Sequence, residues 1–377
     1  MGVGYEAIAP GKLLLFGEHA AVYGYPALGM ALPVRLTLRI DFEELPEAPH
    51  VAHSGAGDVR DTREAIEDRW ELPHILDEHP HILSDFFLTV ERTAAELLPT
   101  LEIERYRGVV TLASEIPIAS GFGSSAAVCA CVSRILLAAE SSGDISDRQA
   151  GGKQQDELSG NHRLTRHPSH FMPEAAHPQR LWTLANRLER FFHGTPSGID
   201  TGLAVLGGTQ AFYFPEERAE YALPKAYPRA AFPGWLVAGS VSRSRSTKAL
   251  VASVREQVEA EPTAMERLRE LGEIALEAAE LLEEREAERV IGETAFRAER
   301  AQEILRSFGL SVGPVERALE AGKEAGARGG KLSGAGGGGA FYLVCRDQDE
   351  ARRVFQAVAE ILGPEGLVTI PPQQIAD

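Results

Sequence analysis

The sequence predicts a globular protein that combines β-strands and α-helices in two domains. Residues 35–40 alternate polar and apolar side chains with a period of two, which is typical of a half-buried strand. Residues 262–307 are rich in Ala, Leu, Glu and Arg, which favour helices. A chain of 377 residues is long enough for two domains and a substantial core. Its 44% hydrophobic and 25% charged residues are ordinary for globular proteins.

Charge and cysteine usage narrow the classes of function. The net charge of −17 argues against nucleic acid as a partner, so an anionic ligand must be held by local donors. Because no run of about 20 apolar residues occurs, we expect no membrane-spanning segment, and residues 1–10 show no secretory signal. We interpret Cys129, Cys131 and Cys345 as buried free thiols rather than metal ligands, which predicts a cytoplasmic location.

The elements of the first half follow in order. Residues 43–69 are polar and predict a loop with some short helix. Apolar positions at helical spacing predict a helix over 81–98, and residues 109–113 predict a strand. The apolar run 128–139 predicts a buried helix. A loop therefore connects the predicted strand at 109–113 to the predicted helix at 128–139. Phosphate binding at a helix start requires this order of strand, loop and helix.

The second half begins with a hydrophilic segment, residues 151–179, that carries four histidines: His162, His167, His170 and His177. A metal site and a solvated loop are the two interpretations. Irregular spacing and the lack of a supporting cysteine or acidic pattern favour the solvated loop. Whether this segment is a lid, an oligomer contact or a plain insertion is left open.

Further elements complete the chain. Residues 181–192 predict a helix, and residues 202–214 predict a hairpin with its turn at Gly207 and Gly208. A strand at 235–239 opens the second domain, and the long helical stretch is expected to end at Gly309.

Residues 117–127 (PIASGFGSSAA) are the most informative segment of the chain. Two glycines and two serines stand directly before the apolar run. Free N–H groups at the helix start can bind an anion there, and the glycines let it approach the backbone. A serine hydroxyl can also reach a metal that bridges phosphates. Taken alone, the segment is equally compatible with a loop and helix cap that bind nothing.

Three further segments resolve this ambiguity. They are residues 10–28 (PGKLLLFGEHAAVYGYPAL), 193–200 (HGTPSGID) and 331–340 (KLSGAGGGGA). In this order, the four segments resemble the signatures of the GHMP kinases, a family of galacto-, homoserine, mevalonate and phosphomevalonate kinases. They are most similar to its mevalonate kinase branch. The resemblance extends over residues 10–340, and the chain has no Walker-type phosphate loop.

The resemblance implies which residues bind ATP and its metal ion. The ATP phosphates are expected to contact Pro117, Gly121, Gly123, Ser124, Ser125 and Ala126, and from the other side Gly334, Gly336 and Gly337. Mg²⁺ is the expected cofactor, with Ser125 and Glu189 as its oxygen ligands. Without the resemblance, Glu189 is better explained as a surface acid on an arginine-flanked helix.

The same resemblance implies catalytic and acceptor-binding residues. Asp200 matches the family's catalytic aspartate and Lys12 the lysine beside it, with a structural ion pair as the alternative. Whether Asp200 takes the proton early or chiefly orients the hydroxyl is left open. The residues expected to contact the acceptor are Glu18, His19, Ser197, Arg245 and Thr247. The guanidinium of Arg245 would pair with a carboxylate of the acceptor.

An α+β fold of two domains is also implied by the resemblance. Residues 1–232 are expected to form an N-terminal domain similar to the second domain of ribosomal protein S5. Residues 233–377 are expected to form a ferredoxin-like C-terminal domain with the glycine-rich loop, and the active site is expected between the two. Ala301 stands where the family has asparagine, although Gln302 follows it.

The implied activity is ATP- and Mg²⁺-dependent phosphorylation of the C5 hydroxyl of mevalonate, in isoprenoid precursor synthesis. One alternative is a sister kinase acting on phosphomevalonate or another small alcohol, which would require an additional Lys or Arg cluster beside the acceptor. Another is a catalytically inactive, nucleotide-binding regulatory homologue. Such a protein typically loses the lysine, the metal ligand or the aspartate, and this chain retains all of them. A homodimer is compatible with the interpretation.

Overall fold

The computed structural model of the chain describes residues 3–45, 66–73, 81–118, 120–142, 165–166, 178–215, 222–242 and 244–372. The chain divides into two compact units. Unit 1 consists of Met1–Ala9, Leu36–Ser114 and Ser125–Pro196, and unit 2 consists of Pro10–Arg35, Glu115–Ser124 and Ser197–Asp377. Each unit is made of three separate stretches of the chain, so this division does not test a single domain boundary after residue 232, which stays a prediction. The four histidines of residues 151–179 lie outside the described residues.

The sheet of unit 1 has the strand order β3-β4-β2-β1-β5. The strands are β1 (Val3–Phe16), β2 (Ala27–Glu44), β3 (Trp70–Glu71), β4 (Tyr106–Ser114) and β5 (Thr165–Arg166), of which β1 and β2 also contribute residues to unit 2. Strand β4 runs antiparallel to β2, with Leu36 opposite Ser114 and Glu44 opposite Tyr106. The strands predicted at 35–40 and 109–113 are confirmed.

Helices α1 (Ile82–Leu97), α2 (Ser124–Ser141) and α3 (Pro178–His193) confirm the three helices predicted in this part of the chain. By length and composition α2 is apolar enough to cross a membrane, but most of its side chains are buried inside the protein. This burial is typical of a helix in the core of a folded protein. The thiols of Cys129, Cys131 and Cys345 are all free and buried, as predicted.

Unit 2 corrects one prediction. Residues 202–214 do not form a hairpin, because the first part belongs to helix α4 (Ile199–Leu206) and only the second part to strand β6 (Thr209–Tyr213). Gly207 and Gly208 have positive φ and end the helix, so they join a helix to a strand. Strand β6 pairs antiparallel with β2 and with β7 (Lys225–Arg229).

A four-stranded antiparallel sheet completes unit 2, in the order β11-β8-β10-β9. Its strands are β8 (Trp235–Val241), β9 (Gly329–Leu332), β10 (Gly339–Cys345) and β11 (Val368–Ile370). The helices are α5 (Thr247–Ala260), α6 (Pro262–Leu281), α7 (Ala287–Ser307), α8 (Gly313–Glu324) and α9 (Gln348–Leu362). The helical stretch predicted over 262–307 is thus two helices, and Gly309, with φ of +69°, follows the second one. Every residue of β10 is buried.

Candidate active site

The described residues 115–118 and 120–123 lie in the loop between β4 and α2. Gly121 and Gly123 have φ of +88° and +79°, which residues with a side chain rarely adopt. The hydroxyl of Ser120 donates to the carbonyl of Pro117 at 2.7 Å and closes the turn. Helix α2 begins at Ser124, directly after Gly123, so free N–H groups of its first turn follow the glycines. The predicted order of strand, loop and helix is confirmed.

Lys12 packs against this loop. Its backbone N–H donates to the carbonyl of Phe122 at 2.8 Å. A Cβ added at Gly123 would lie 2.5 Å from Lys12 Cγ, which is closer than carbon atoms can approach. Glycine is therefore required at position 123 both by the backbone conformation and by the stem of the lysine.

The structure brings together the predicted catalytic pair of Lys12 and Asp200. The ammonium Nζ lies 3.2 Å from Oδ2 of Asp200; the lysine side chain is 8% exposed and the aspartate 36%. Asp200 stands in the first turn of α4, after Gly198 with its φ of +88°. The hydroxyl of Ser197 accepts the N–H of Ile199 at 3.3 Å and fixes the start of this helix. A partly exposed carboxylate beside a buried ammonium can receive a hydrogen bond from a substrate hydroxyl.

In unit 1, Ser125 and Glu189 are in direct contact. Ser125 Oγ donates to Glu189 Oε1 at 2.7 Å, and Nε2 of His193 lies 3.2 Å from the same carboxylate oxygen. Glu189 is fully buried, so it is not the surface acid that its neighbouring arginines suggest. Its second oxygen, Oε2, is buried and has no hydrogen-bond partner among the described residues.

This donor set fits a magnesium ion. A buried carboxylate oxygen without a partner is costly unless something binds it, and a hydroxyl oxygen stands beside it. In the part of the chain that the structure describes, no group of three or more His, Cys, Asp and Glu residues could hold a metal ion. If Mg²⁺ binds here, Ser125 and Glu189 would supply two ligands, and phosphate oxygens and water the others, as this ion prefers. Burial and the Glu189 carboxylate raise the pKa of Cys129 well above its usual value, which keeps this neighbouring thiol protonated.

Glu18 and His19 follow the end of β1. The carboxylate of Glu18 pairs with the ammonium of Lys331, and neither side chain has exposed surface. Nε2 of His19 lies 3.0 Å from the carbonyl of Ala335, and burial lowers the pKa of the ring, so we assign the proton of the neutral ring to Nε2. The structure thus brings both residues to the glycine-rich segment, while their contact with an acceptor stays a prediction.

The glycine-rich segment, residues 331–340, is held at several points of unit 2. Its glycines Gly334, Gly336 and Gly337 have φ of +83°, +82° and +67°. The N–H of Gly337 donates to the carbonyl of Leu310 at 2.7 Å, and a Cβ at Gly336 would lie 2.5 Å from that same oxygen. Gly336 is needed for this close approach, and the positive φ favours glycine at all three positions, so the segment is a shaped loop and not a linker.

Arg245 and Thr247 lie beside this loop. The carbonyl of Gly337 accepts the N–H of Ser244 at 2.8 Å. This bond connects the chain just before Arg245 to the glycine-rich segment. Arg245 is exposed, and its Nη2 donates to the carbonyl of Gly309 at 3.0 Å. Thr247 is the first residue of α5. Their role in binding an acceptor stays a prediction.

Two buried polar residues of this region were not assigned a role from the sequence. One is Lys331, which opens the glycine-rich segment. The other is Gln302, whose Oε1 accepts the N–H of Leu332 at 2.9 Å and whose Nε2 donates to Ser311 and Glu316. Gln302 thus supports β9 beside the position where the family has asparagine. The only sequence signal for either residue was its closeness to a family motif.

Comparisons with known proteins show which proteins this chain is similar to. Residues 88–150 match the family described as the GHMP kinases N-terminal domain, and residues 254–363 match the GHMP kinases C-terminal domain. A two-domain α+β fold with these matches defines an ATP-dependent kinase. In both of these segments the chain is similar to the GHMP kinases.

Full-length relatives carry a more specific name. Mevalonate kinase of Pyrococcus abyssi is 28% identical over 378 residues, which cover 96% of this chain and 94% of that protein. Among solved structures, L. major mevalonate kinase in complex with R-mevalonate is similar with a TM-score of 0.70 at 17% identity, covering 98% of this chain and 96% of that one. Streptococcus pneumoniae phosphomevalonate kinase is similar with a TM-score of 0.65 at 14% identity, covering 98% and 99% of the two chains. At these identities the structural likeness shows the fold alone.

Proposed function

We propose that this protein is a mevalonate kinase that transfers the γ-phosphoryl group of ATP to the C5 hydroxyl of mevalonate. The Lys12–Asp200 pair, packed against the Gly121–Gly123 turn, is the observation that carries the proposal. The full-length similarity to mevalonate kinases supports the choice of acceptor. We place the enzyme in the cytoplasm, in the mevalonate pathway of isoprenoid biosynthesis.

Asp200 and Lys12 act on the acceptor hydroxyl. The Asp200 carboxylate accepts the hydrogen bond of the C5 hydroxyl and takes its proton as the new O–P bond forms. The bond between the γ-phosphorus and the bridging oxygen of ATP breaks in the same step, and ADP carries away that electron pair. The Lys12 ammonium, 3.2 Å from Asp200, holds the carboxylate in place and offsets charge that develops on the phosphoryl oxygens.

Backbone groups bind the phosphates. The N–H groups from Gly121 to Ala126 and those of Gly334, Gly336 and Gly337 are the proposed donors, with Pro117 at the entrance of the first loop. Ser125 and Glu189 would hold Mg²⁺, which, when bound, neutralises phosphate charge and orients the γ-phosphoryl group. Ser125 Oγ and both oxygens of Glu189 are the atoms available for this role.

The acceptor is recognised by a second set of residues. We propose that Arg245 binds the mevalonate carboxylate, because a guanidinium offers two parallel hydrogen bonds to that group. His19, Ser197 and Thr247 are the proposed hydrogen-bonding residues beside it. Glu18 is fully buried against Lys331, so its influence on the acceptor is better explained as indirect.

The test is an ATP-coupled activity screen of the purified chain against mevalonate, phosphomevalonate, homoserine and galactose. We expect the highest kcat/KM with mevalonate. A higher value with phosphomevalonate would transfer the assignment to the sister kinase. ATP binding without turnover of any of these alcohols would favour the inactive regulatory homologue. Light scattering of the same sample measures whether the chain forms a homodimer.

A further inference from the structure

Glu18 and Lys331 form an unusual ion pair. Among the ion pairs of the described residues, it is the one in which neither side chain has any exposed surface. The residues are 313 positions apart in the chain, and Lys331 also donates to the carbonyl of Leu332 at 2.6 Å. Its ammonium lies over the rings of Phe16 and Tyr342, at 5.7 Å and 5.4 Å from their centroids.

Stability alone does not account for such a pair. Removing two charges from water costs several kcal/mol for each ion, and uncharged pairs of similar volume are often as stable or more so. Burial raises the pKa of Glu18 and lowers that of Lys331, and the attraction between the two groups opposes both shifts. Removal of either partner alone would leave an uncompensated buried charge.

The pair lies at the junction between β1 and the glycine-rich segment. The hydroxyl of Ser333 donates to the carbonyl of Leu14 at 2.8 Å, and that of Tyr342 donates to the carbonyl of Leu15 at 2.9 Å. These neutral contacts hold the segment to the strand itself. The ion pair is the charged contact of this junction, and it lies beyond the end of the strand, which is at Phe16.

His19 directly follows the pair. Its φ of +56° is left-handed, which costs free energy for a residue with a side chain and persists only when neighbours hold it. The preceding Gly17 has φ of +96°, and a Cβ there would lie 2.5 Å from the carbonyl of Pro26. The left-handed conformation of His19 is therefore held by the turn at Gly17 and by the Glu18–Lys331 pair. The ring of His19 reaches the carbonyl of Ala335 in the glycine-rich segment.

We propose that Lys331 is a positioning residue, which through Glu18 holds His19 and the glycine-rich loop in the arrangement that binds the acceptor and the phosphates. This inference rests on the proposed function of the site. It gives Glu18 a role that does not require contact with substrate. It also explains why a fully buried lysine opens a segment whose residues from 333 onwards are all small.

The test compares two double variants. In Glu18→Gln/Lys331→Met both charges of the pair are removed with little change of volume. The control is Glu350→Gln/Arg328→Met, which removes an ion pair of 2.9 Å at the other end of β9. The single variant Lys331→Met leaves the buried carboxylate of Glu18 without its charged partner. It measures how much stability is lost when only one charge of the pair is removed.

We expect the Glu18/Lys331 double variant to keep a cooperative thermal transition near that of wild type. Its KM for mevalonate should rise about tenfold or more and its kcat should fall, while the control variant changes neither by more than about twofold. Hydrogen exchange, measured by mass spectrometry without substrate, should accelerate about tenfold or more in residues 333–340 and not in α9. In the wild type the N–H of Ser333 donates to the carbonyl of Ala340 and that of Gly337 to the carbonyl of Leu310, in addition to the pairing of β10 with β8.

Two results would overturn the inference. One is a double variant whose KM, kcat and exchange in residues 333–340 match the control. The other is a loss of activity in which the folded fraction falls in proportion and the remaining enzyme has the wild-type KM, because the pair would then be only structural. Failure of wild type to phosphorylate mevalonate would instead overturn the proposed function, and the exchange experiment would still decide whether the pair positions the loop.

Discussion

Asp200→Asn separates catalysis from binding and from folding. The amide keeps the shape of the side chain and an oxygen for Lys12, but it cannot take up the proton of the acceptor. Base-type assistance of this kind is worth roughly 10²–10⁴-fold, so kcat should fall by that factor, which corresponds to a rise of about 3–5 kcal/mol in the activation barrier. The KM for ATP should change by no more than a few-fold, because phosphate binding is assigned to backbone groups of the two loops.

Loss of stability cannot produce an effect of that size. At 3.2 Å the Lys12–Asp200 attraction is about 5 kcal/mol with an effective dielectric constant near 20. Asp200 is more than a third exposed, so solvent screening reduces the net contribution to about 1 kcal/mol. For a protein of this size, such a loss lowers the midpoint of thermal unfolding by only about 2 °C.

The assay is steady-state kinetics with ADP formation coupled to NADH oxidation, each substrate being varied in turn. Asp349→Asn is the matched control, because Asp349 also stands in the first turn of a helix, α9, and its side chain is 80% exposed. We expect the control to behave like wild type. If kcat of Asp200→Asn stays within about fivefold of wild type, Asp200 is not the proton acceptor. If the fall in kcat is matched by an equal rise of the KM for ATP, the residue binds nucleotide instead.

Three further predictions concern the other parts of the site. Ser125→Ala and Glu189→Gln should each raise the Mg²⁺ concentration that gives half-maximal rate, and Mn²⁺ binding measured by electron paramagnetic resonance should weaken in parallel, because each change deletes a metal contact. Arg245→Ala should raise the KM for mevalonate by an amount equivalent to about 1.5–3 kcal/mol, and Thr247→Ala by less, with the KM for ATP nearly unchanged. Gly123→Ala should lower the free energy of unfolding by about 1–3 kcal/mol and reduce kcat, since the added Cβ meets Lys12 and the φ is left-handed.

Matched variants control these three experiments. Glu96→Gln removes an exposed glutamate, and overlapping Mg²⁺ titrations for Glu189→Gln and this control would contradict the ligand assignment. Lys248→Ala changes an exposed neighbour of Thr247, and equal effects of Arg245→Ala on both KM values would remove its acceptor role. Gly24→Ala has a left-handed φ but free space for a Cβ, so it measures the backbone cost without the clash. If Gly123→Ala lost no more stability than Gly24→Ala and kept the wild-type kcat, the contact between position 123 and Lys12 would be unimportant.

Local features of the fold could be predicted from the sequence. Period-two alternation located β2, and helical spacing located α1 and α3, because both patterns reflect which side of one element faces the core. The Gly121–Gly123 turn was also predictable, since left-handed φ selects glycine at the position itself. The family motifs placed Lys12 and Asp200 together, which the structure confirms at 3.2 Å.

The tertiary structure decided what depends on distant partners. Glu189 looks like a surface acid in its own helix, and only packing shows that it is buried with one oxygen unpartnered. Gly207 and Gly208 suggested the turn of a hairpin, but residues 199–206 form a helix that these glycines end, and β6 pairs with β2 and β7. Lys331 reads as an ordinary polar residue before a glycine run, yet its partner lies 313 residues away. Burial and ion pairing are set by the whole packed chain, and no local pattern carries that information.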